Sequence, residues 1–237
     1  MSATSPARPA APVLAATLIA AALALAACGG DGEKSTTQSE GGTGASGATA
    51  GESGSCQAVR KPAPKRARKE SKPSLQLSPD KTYTATVETN CGSFVIELDP
   101  EQAPRTGGSF VTLGRRGFYD GLTFHRIVTG FVIQGGDPTG NGSGGPGYSV
   151  REQPSNDVVY SEGVVAMAKT AAEPPGTSGS QFFVVTSDDA QLPPDYALLG
   201  KVTKGIDAVH RIEEVPAGPD EAPVEPVVIK RVVVKTK

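Results

Sequence analysis

Tryptophan is absent from the 237-residue chain, aromatic residues make up only 5% of it, and histidine occurs only twice. The two histidines, His125 and His210, have no cysteine or carboxylate at ligand spacing, so we expect no metal site. The net charge of −2 gives no electrostatic reason to expect a nucleic-acid partner. What the chain does have is 29 glycines and 20 prolines, so much of it must be loop or linker.

The apolar run VLAATLIAAALALAA, Val13 to Ala27, is too short to cross a bilayer comfortably, and no basic stop-transfer cluster follows it. It therefore predicts a signal peptide over residues 1–27. The run ends in LAAC, Leu25 to Cys28, which resembles the lipobox of bacterial lipoproteins. The resemblance implies that Cys28 is lipidated and that the mature chain is anchored outside the cytoplasm, with about 0.8 kcal/mol contributed by each buried methylene. The alternative is a secretory signal followed by a chance cysteine.

Residues 28–80 are predicted to form a flexible, partly basic tether. Gly29 to Ser55 has almost no apolar side chain to offset the entropy of ordering. The basic stretch RKPAPKRARKESK, residues 60–72, has two interpretations: contact with anionic lipids or cell-wall polymers, or a solvated linker. For Cys56 and Cys91, an extracytoplasmic location favours a disulfide over two free thiols.

Residues 81–237 have the pattern of a folded domain. YTATVET and SFVIEL alternate on either side of the turn NCG, which predicts an antiparallel hairpin. In APRTGGSFVTLGRRG, Phe110 and Leu113 lie at helical spacing, although Gly107 and Gly108 each weaken a helix by about 1 kcal/mol relative to alanine. Short apolar runs follow, then a second helix in KGIDAVHRIEEV and a last strand in PVVIKRVVVKT. The pattern predicts a mainly β fold, a closed antiparallel barrel with helices at its ends.

Two longer motifs are FHRIVTGFVIQGGD, Phe124 to Asp137, and GSQFFVVTS, Gly179 to Ser187. They resemble the two central motifs of the cyclophilin-type peptidyl-prolyl cis-trans isomerases. GFYDGLTFHRI, GNGSGGPGY, GVVAMA and YALLGKV occur in that family's order, and the similarity covers roughly Tyr83 to Lys235. The resemblance implies an eight-stranded antiparallel β-barrel capped by two α-helices, and an enzyme that rotates X-Pro bonds.

Rotation about an X-Pro bond has a barrier of about 18–20 kcal/mol because the C–N bond has double-bond character. No bond is made or broken, so no nucleophile, general base, metal or other cofactor is expected. An apolar slot for the pyrrolidine ring and a donor for the twisted bond would suffice, and arginine suits the donor because it stays charged.

The resemblance assigns these parts to individual residues. Arg126 matches the family's catalytic arginine, and Gln134 matches the amide that hydrogen-bonds the substrate backbone. The other matching positions are the walls of the proline pocket, Phe131, Val132, Phe183 and Leu192, and the neighbouring subsite, Ala168 and Gln181 with Gly142 on its rim.

Three positions depart from the family's usual residues. Lys169 stands where the family has asparagine, so we expect a changed peptide preference. Tyr196 stands where many members have histidine, and it still offers an aromatic wall to the substrate. Gln191 stands where many have tryptophan, which argues against cyclosporin binding.

Together these observations predict a monomeric, lipid-anchored, extracytoplasmic prolyl isomerase. Its expected partners are the membrane, through Cys28, and proline-containing segments of exported proteins. The alternative is a cyclophilin-fold binding module or holdase with little catalysis.

Overall fold

The computed structural model describes residues 55–66 and 69–237. The predicted signal peptide and Cys28 lie outside these residues. Within them the chain forms ten strands, β1 (Tyr83–Thr89), β2 (Gly92–Leu98), β3 (Thr123–Val128), β4 (Val132–Asp137), β5 (Val150–Arg151), β6 (Val164–Met167), β7 (Thr177–Ser178), β8 (Phe182–Val185), β9 (Leu198–Lys204) and β10 (Val227–Thr236). The two helices of this part are α1 (Pro104–Arg115) and α2 (Ile206–Glu213). None of its helices has the length and apolar character needed to cross a membrane.

Eight of the strands close into an antiparallel barrel in the order β1, β10, β3, β4, β8, β6, β9, β2. The alternation in the first hairpin sets its register, because Ala85 pairs with Ile96 and Val87 with Phe94, all four buried. Helix α1 packs against β10 and helix α2 against β2. The predicted eight-stranded barrel with two helices is confirmed.

Strands β4 and β8 bury side chains on both of their faces. Ile133 and Phe182 belong to the main core inside the barrel, whereas Val132 and Phe183 belong to a second cluster on its outer face. Strands buried on both faces appear in the sequence as continuous apolar runs, as in FFVV. The candidate site is built on this second cluster.

Part of the predicted tether lies against the barrel. We call residues 55–66 and 69–80 the N-terminal strap. Its backbone N–H groups donate to barrel carbonyls at four points: Gln57 to Asn90 at 2.8 Å, Lys65 to Pro138 at 2.8 Å, Glu70 to Pro146 at 2.7 Å and Leu77 to Pro104 at 2.9 Å. The expectation of a flexible segment as far as residue 80 therefore differs from the structure, in which the ordered domain includes the strap.

The strap is fixed at both ends. At its start, Cys56 and Cys91 are joined in a disulfide with an S–S distance of 1.99 Å, so the structure brings together the two cysteines that the sequence paired. At its end, Leu77 is buried against α1. The approach is possible because α1 has no side chain at Gly107 or Gly108. A Cβ on Gly107 would lie 2.4 Å from Leu77 Cδ1, and one on Gly108 would lie 2.0 Å from the backbone oxygen of Leu75.

Candidate active site

A β-bulge in β3 aims Arg126 at the outer face of the barrel. Phe124 pairs with Gly135 and Arg126 pairs with Gln134, so β3 has one more residue, His125, than β4 over the same stretch. Without the bulge, Arg126 would face the same side as Phe124, which is buried in the core. Gln134 in turn pairs with Phe183. Arg126, Gln134 and Phe183 therefore form one row across three neighbouring strands.

This row borders a cavity of about 190 Å³. The cavity is lined by Arg126, Phe131, Val132, Gln134, Ala168, Lys169, Phe183, Leu192 and Tyr196. All of these residues were singled out from the sequence. The two remaining substrate-binding candidates, Gly142 and Gln181, line an adjoining cavity of about 670 Å³ that shares Gln134, Ala168 and Lys169 with the first. Gln191 is exposed and lines neither cavity.

A separate cleft of about 840 Å³ lies along β2 and β9. It contains none of the residues that the motifs singled out. Its volume is larger, but the candidate site is defined by the convergence of two cations, Arg126 and Lys169, one amide and three aromatic rings, which line the smaller cavity and not this cleft.

The aromatic wall of the smaller cavity is held by a residue that the sequence did not indicate. The rings of Phe183 and Tyr196 meet edge to face with centroids 5.4 Å apart, and Tyr160 packs behind both, at 6.4 Å and 6.1 Å. The Tyr160 hydroxyl donates to the carbonyl of Tyr196 at 2.6 Å and accepts from its N–H at 3.2 Å. Burial raises the pKa of Tyr160 to about 12, so the hydroxyl keeps its proton.

Arg126 is held between two acceptors. Its Nε donates to Oε2 of Glu221 at 2.5 Å and its Nη1 to Oε1 of Gln134 at 3.3 Å. Within the described residues, Nη2 has no hydrogen-bond partner. Nε and Nη1 are thus occupied by protein groups, while the N–H groups of Nη2 stay free for a ligand. No sequence signal connects Glu221 with Arg126, because the two lie 95 positions apart and Glu221 is in a loop.

The polar contacts continue into the adjoining cavity. Gln134 donates from Nε2 to Oε1 of Gln181 at 3.0 Å. Gln181 donates from Nε2 to the carbonyls of Gly142 at 2.8 Å and Gly144 at 2.9 Å. The two cavities are therefore joined by a row of side-chain amides that fixes a glycine-rich loop.

The same loop is folded around Asp137. Its carboxylate accepts from the N–H groups of Thr139 at 2.7 Å, Asn141 at 3.0 Å and Gly142 at 2.6 Å. Burial on its own would raise the pKa of Asp137, but the hydrogen bonds, led by those from Thr139, outweigh it and hold the pKa below its usual range.

His125 lies beneath this loop, and in the part of the chain that the structure describes neither of its ring nitrogens has a hydrogen-bond partner. Burial lowers the pKa of His125. It lines neither cavity of the site.

Lys169 lies at the boundary between the two cavities. Its Nζ donates to the backbone oxygen of Glu173 at 3.2 Å and lies 5.6 Å from the ring centroid of Tyr196. The ammonium group is therefore placed beside the aromatic wall, and Lys169 lines both cavities.

Comparisons with known proteins agree with this geometry. The family model described as "Cyclophilin type peptidyl-prolyl cis-trans isomerase/CLD" matches residues 84–234. Peptidyl-prolyl cis-trans isomerase B of Streptomyces anulatus is 40% identical over 172 residues, which cover 65% of this chain and 97% of the relative. Peptidyl-prolyl cis-trans isomerase B of Bacillus subtilis is 46% identical over 113 residues, which cover 47% of this chain and 77% of the relative.

Among solved structures, a Cryptosporidium parvum cyclophilin type peptidyl-prolyl cis-trans isomerase superposes with a TM-score of 0.61 at 33% identity. The match covers 65% of this chain and 98% of that one. The same protein crystallised in the presence of the dipeptide Ala-Pro gives a TM-score of 0.60. On fold, motifs and sequence identity, the chain belongs to the cyclophilin-type peptidyl-prolyl cis-trans isomerases.

Proposed function

We propose that this chain is a lipid-anchored, extracytoplasmic prolyl isomerase that acts on proline-containing segments of exported proteins. The observation on which the proposal rests is the position of Arg126, which lines the same small cavity as Phe131, Phe183 and Tyr196. A cation beside an apolar slot is what rotation of an X-Pro bond requires.

The geometry supports a mechanism without covalent steps. The cavity of about 190 Å³ is smaller than the pockets of about 300–1,000 Å³ that hold drug-sized ligands, so it suits a single ring. With the pyrrolidine ring held there, rotation makes the proline nitrogen pyramidal and able to accept a hydrogen bond. Arg126 lines the cavity, so its free N–H groups are available to donate this hydrogen bond and to stabilise the twisted bond more than the planar one.

The adjoining cavity would hold the residues that precede the proline. Gln134 borders both cavities, so its amide is placed to hydrogen-bond the peptide backbone between them. A dipeptide of this chemistry, Ala-Pro, was present with the Cryptosporidium parvum relative. The ligand class proposed here is therefore an extended peptide with proline in the smaller cavity.

An isomerisation assay on a proline-containing tetrapeptide tests the catalytic proposal. We expect Arg126→Ala to lower kcat/KM about 100-fold, as the loss of one preorganised donor does. Arg126→Lys should restore little of this activity, because an ammonium group lacks the planar set of N–H donors that a guanidinium group has. Arg115→Ala, an exposed arginine of α1, is the matched control and should be unchanged. Equal, slow rates for the wild type and Arg126→Ala, with peptide binding intact, would establish the binding-module alternative instead.

The location is supported by the sequence of the N-terminus and by the strap. The LAAC motif supports lipidation of Cys28, and the disulfide between Cys56 and Cys91 suits an oxidising compartment. In cells, Cys28→Ser should abolish incorporation of labelled palmitate and release the protein from the membrane fraction. Continued membrane association of that variant would contradict the proposed anchor.

A further inference from the structure

The loop between α2 and β10 is folded so that it reaches the catalytic strand. The N–H of Glu221 donates to the carbonyl of Gly218 at 2.9 Å, and the N–H of Gly218 donates to the carbonyl of Ala222 at 2.9 Å, which closes a tight turn. The N–H of Ile127 then donates to the carbonyl of Glu221 at 2.8 Å. The backbone of Glu221 is therefore bound to the residue that follows Arg126.

Glu221 adopts a backbone conformation that a residue with a side chain rarely takes. Its φ is +61°, in the left-handed region that favours glycine. Only Gln191 shares this feature among the non-glycine residues that the structure describes. The conformation places the carboxylate Oε2 at 2.5 Å from Arg126 Nε. A glycine would remove the strain but would also remove the carboxylate, which points to a use for the side chain.

The contact contributes little to stability, because both partners are partly exposed, Arg126 at 33% and Glu221 at 46% of their side-chain surface. It has a different effect on Arg126 itself. An arginine side chain has many rotamers, and a guanidinium that moves among them would seldom point at the twisted bond. Two acceptors bind different nitrogens of Arg126: Glu221 accepts from Nε and Gln134 accepts from Nη1. Together they fix both the position and the plane of the guanidinium group.

We propose that Glu221 is a positioning residue for the isomerase reaction: its carboxylate holds Arg126 with the free N–H groups directed at the prolyl bond. Glu221 lies outside the residues that line the substrate cavity, so it acts through Arg126 and not on the peptide. The inference rests on the proposed role of Arg126 as the donor.

A double-mutant cycle on the full chain tests the inference. We expect Glu221→Ala to lower kcat/KM about tenfold, mainly through kcat, with the melting temperature nearly unchanged. In the Arg126→Ala background the same substitution should change nothing, because the group that it positions is gone. Glu221→Gln keeps a hydrogen-bond acceptor without the charge, so its kcat/KM should decrease less than that of Glu221→Ala. The Hε resonance of Arg126 should be sharp in the wild type and broadened in Glu221→Ala.

Glu225→Ala provides the matched control, an exposed carboxylate in the same loop that should leave kcat/KM unchanged. Three outcomes would overturn the inference: unchanged or higher activity of Glu221→Ala, an equal loss in both backgrounds, or a loss confined to KM. Full activity of Arg126→Ala would refute the proposed donor and the inference together. If Glu221→Ala fails to fold, Glu221→Gln, which keeps the side-chain size, gives the cycle in its place.

Discussion

Replacing Gly108 with alanine tests whether the N-terminal strap is bound to the barrel in solution. Gly108 lies in the interior of α1, where alanine normally stabilises a helix by about 1 kcal/mol relative to glycine. If the strap were detached, Gly108→Ala would therefore be stabilising. The structure predicts the opposite sign, because a Cβ at this position would lie 2.0 Å from the backbone oxygen of Leu75.

The expected loss of stability follows from the contacts that the strap loses when it is displaced from the barrel. Exposure of Leu77, now 3% exposed, costs about 1.5–3 kcal/mol. The hydrogen bond from Leu77 N–H to the Pro104 carbonyl contributes about 1 kcal/mol. Alanine at position 108 stabilises the helix itself by about 1 kcal/mol, which offsets part of this loss. Gly108→Ala should therefore destabilise the domain by about 2 kcal/mol. At about 2–4 °C per kcal/mol for a domain of this size, the melting temperature should fall by about 4–8 °C.

Thermal unfolding followed by circular dichroism measures this change. Gly107→Ala is the matched variant, because its Cβ would meet only the side-chain end of Leu77, which can move, and its cost should be smaller. Leu77→Ala loosens the strap, and in that background the cost of Gly108→Ala should decrease. A melting temperature that rises in Gly108→Ala would refute the bound strap.

Three further predictions follow from the site and the disulfide. Burial lowers the pKa of His125, so as the pH falls this histidine takes up a proton in the unfolded chain before it does so in the folded one. The stability of the fold should therefore be complete above about pH 6.5 and decrease as the pH falls below it. A melting temperature independent of pH between 7 and 5 in the wild type, or the same dependence in His125→Gln, would contradict this. Replacing Cys56 and Cys91 with serine removes a cross-link spanning 35 residues and should cost about 3–4 kcal/mol in denaturant unfolding; a cost below about 1 kcal/mol would indicate that the link does not form. Lys169→Glu should reverse the preference of kcat/KM between peptides with an acidic and a basic residue ahead of proline, whereas an unchanged ratio would remove Lys169 from the specificity of the site.

The sequence was sufficient for the barrel and for most of the cavity. Alternation in β1 and β2 predicted their pairing, and the two motifs contained Arg126, Gln134 and Phe183, which the register then placed side by side. The roles of those residues came from the resemblance of the two motifs to the cyclophilin family, whereas alternation alone predicted the strands on which they lie.

The contacts that the sequence did not indicate join segments with no shared pattern. Glu221 reaches Arg126 from a loop 95 positions away. The strap has few apolar residues, and its docking depends on the missing side chains of Gly107 and Gly108. From the pattern alone those glycines only weaken a helix, whereas in the structure they are the surface that accepts the strap.

The disulfide at the start of the strap also determines how mechanical force would enter the domain. Tension on the chain ahead of Ser55 would pass through the covalent bond between Cys56 and Cys91 into the turn between β1 and β2. Both strands have hydrogen-bonded neighbours on each side in the closed barrel, so the load would be shared among several ladders. The hydrogen bonds of the strap beyond Cys56 would bear little of it. The strands that present Arg126 and Phe183 are not hydrogen-bonded to either of these strands, so a pull on the tether would reach the catalytic row only through the strands between them.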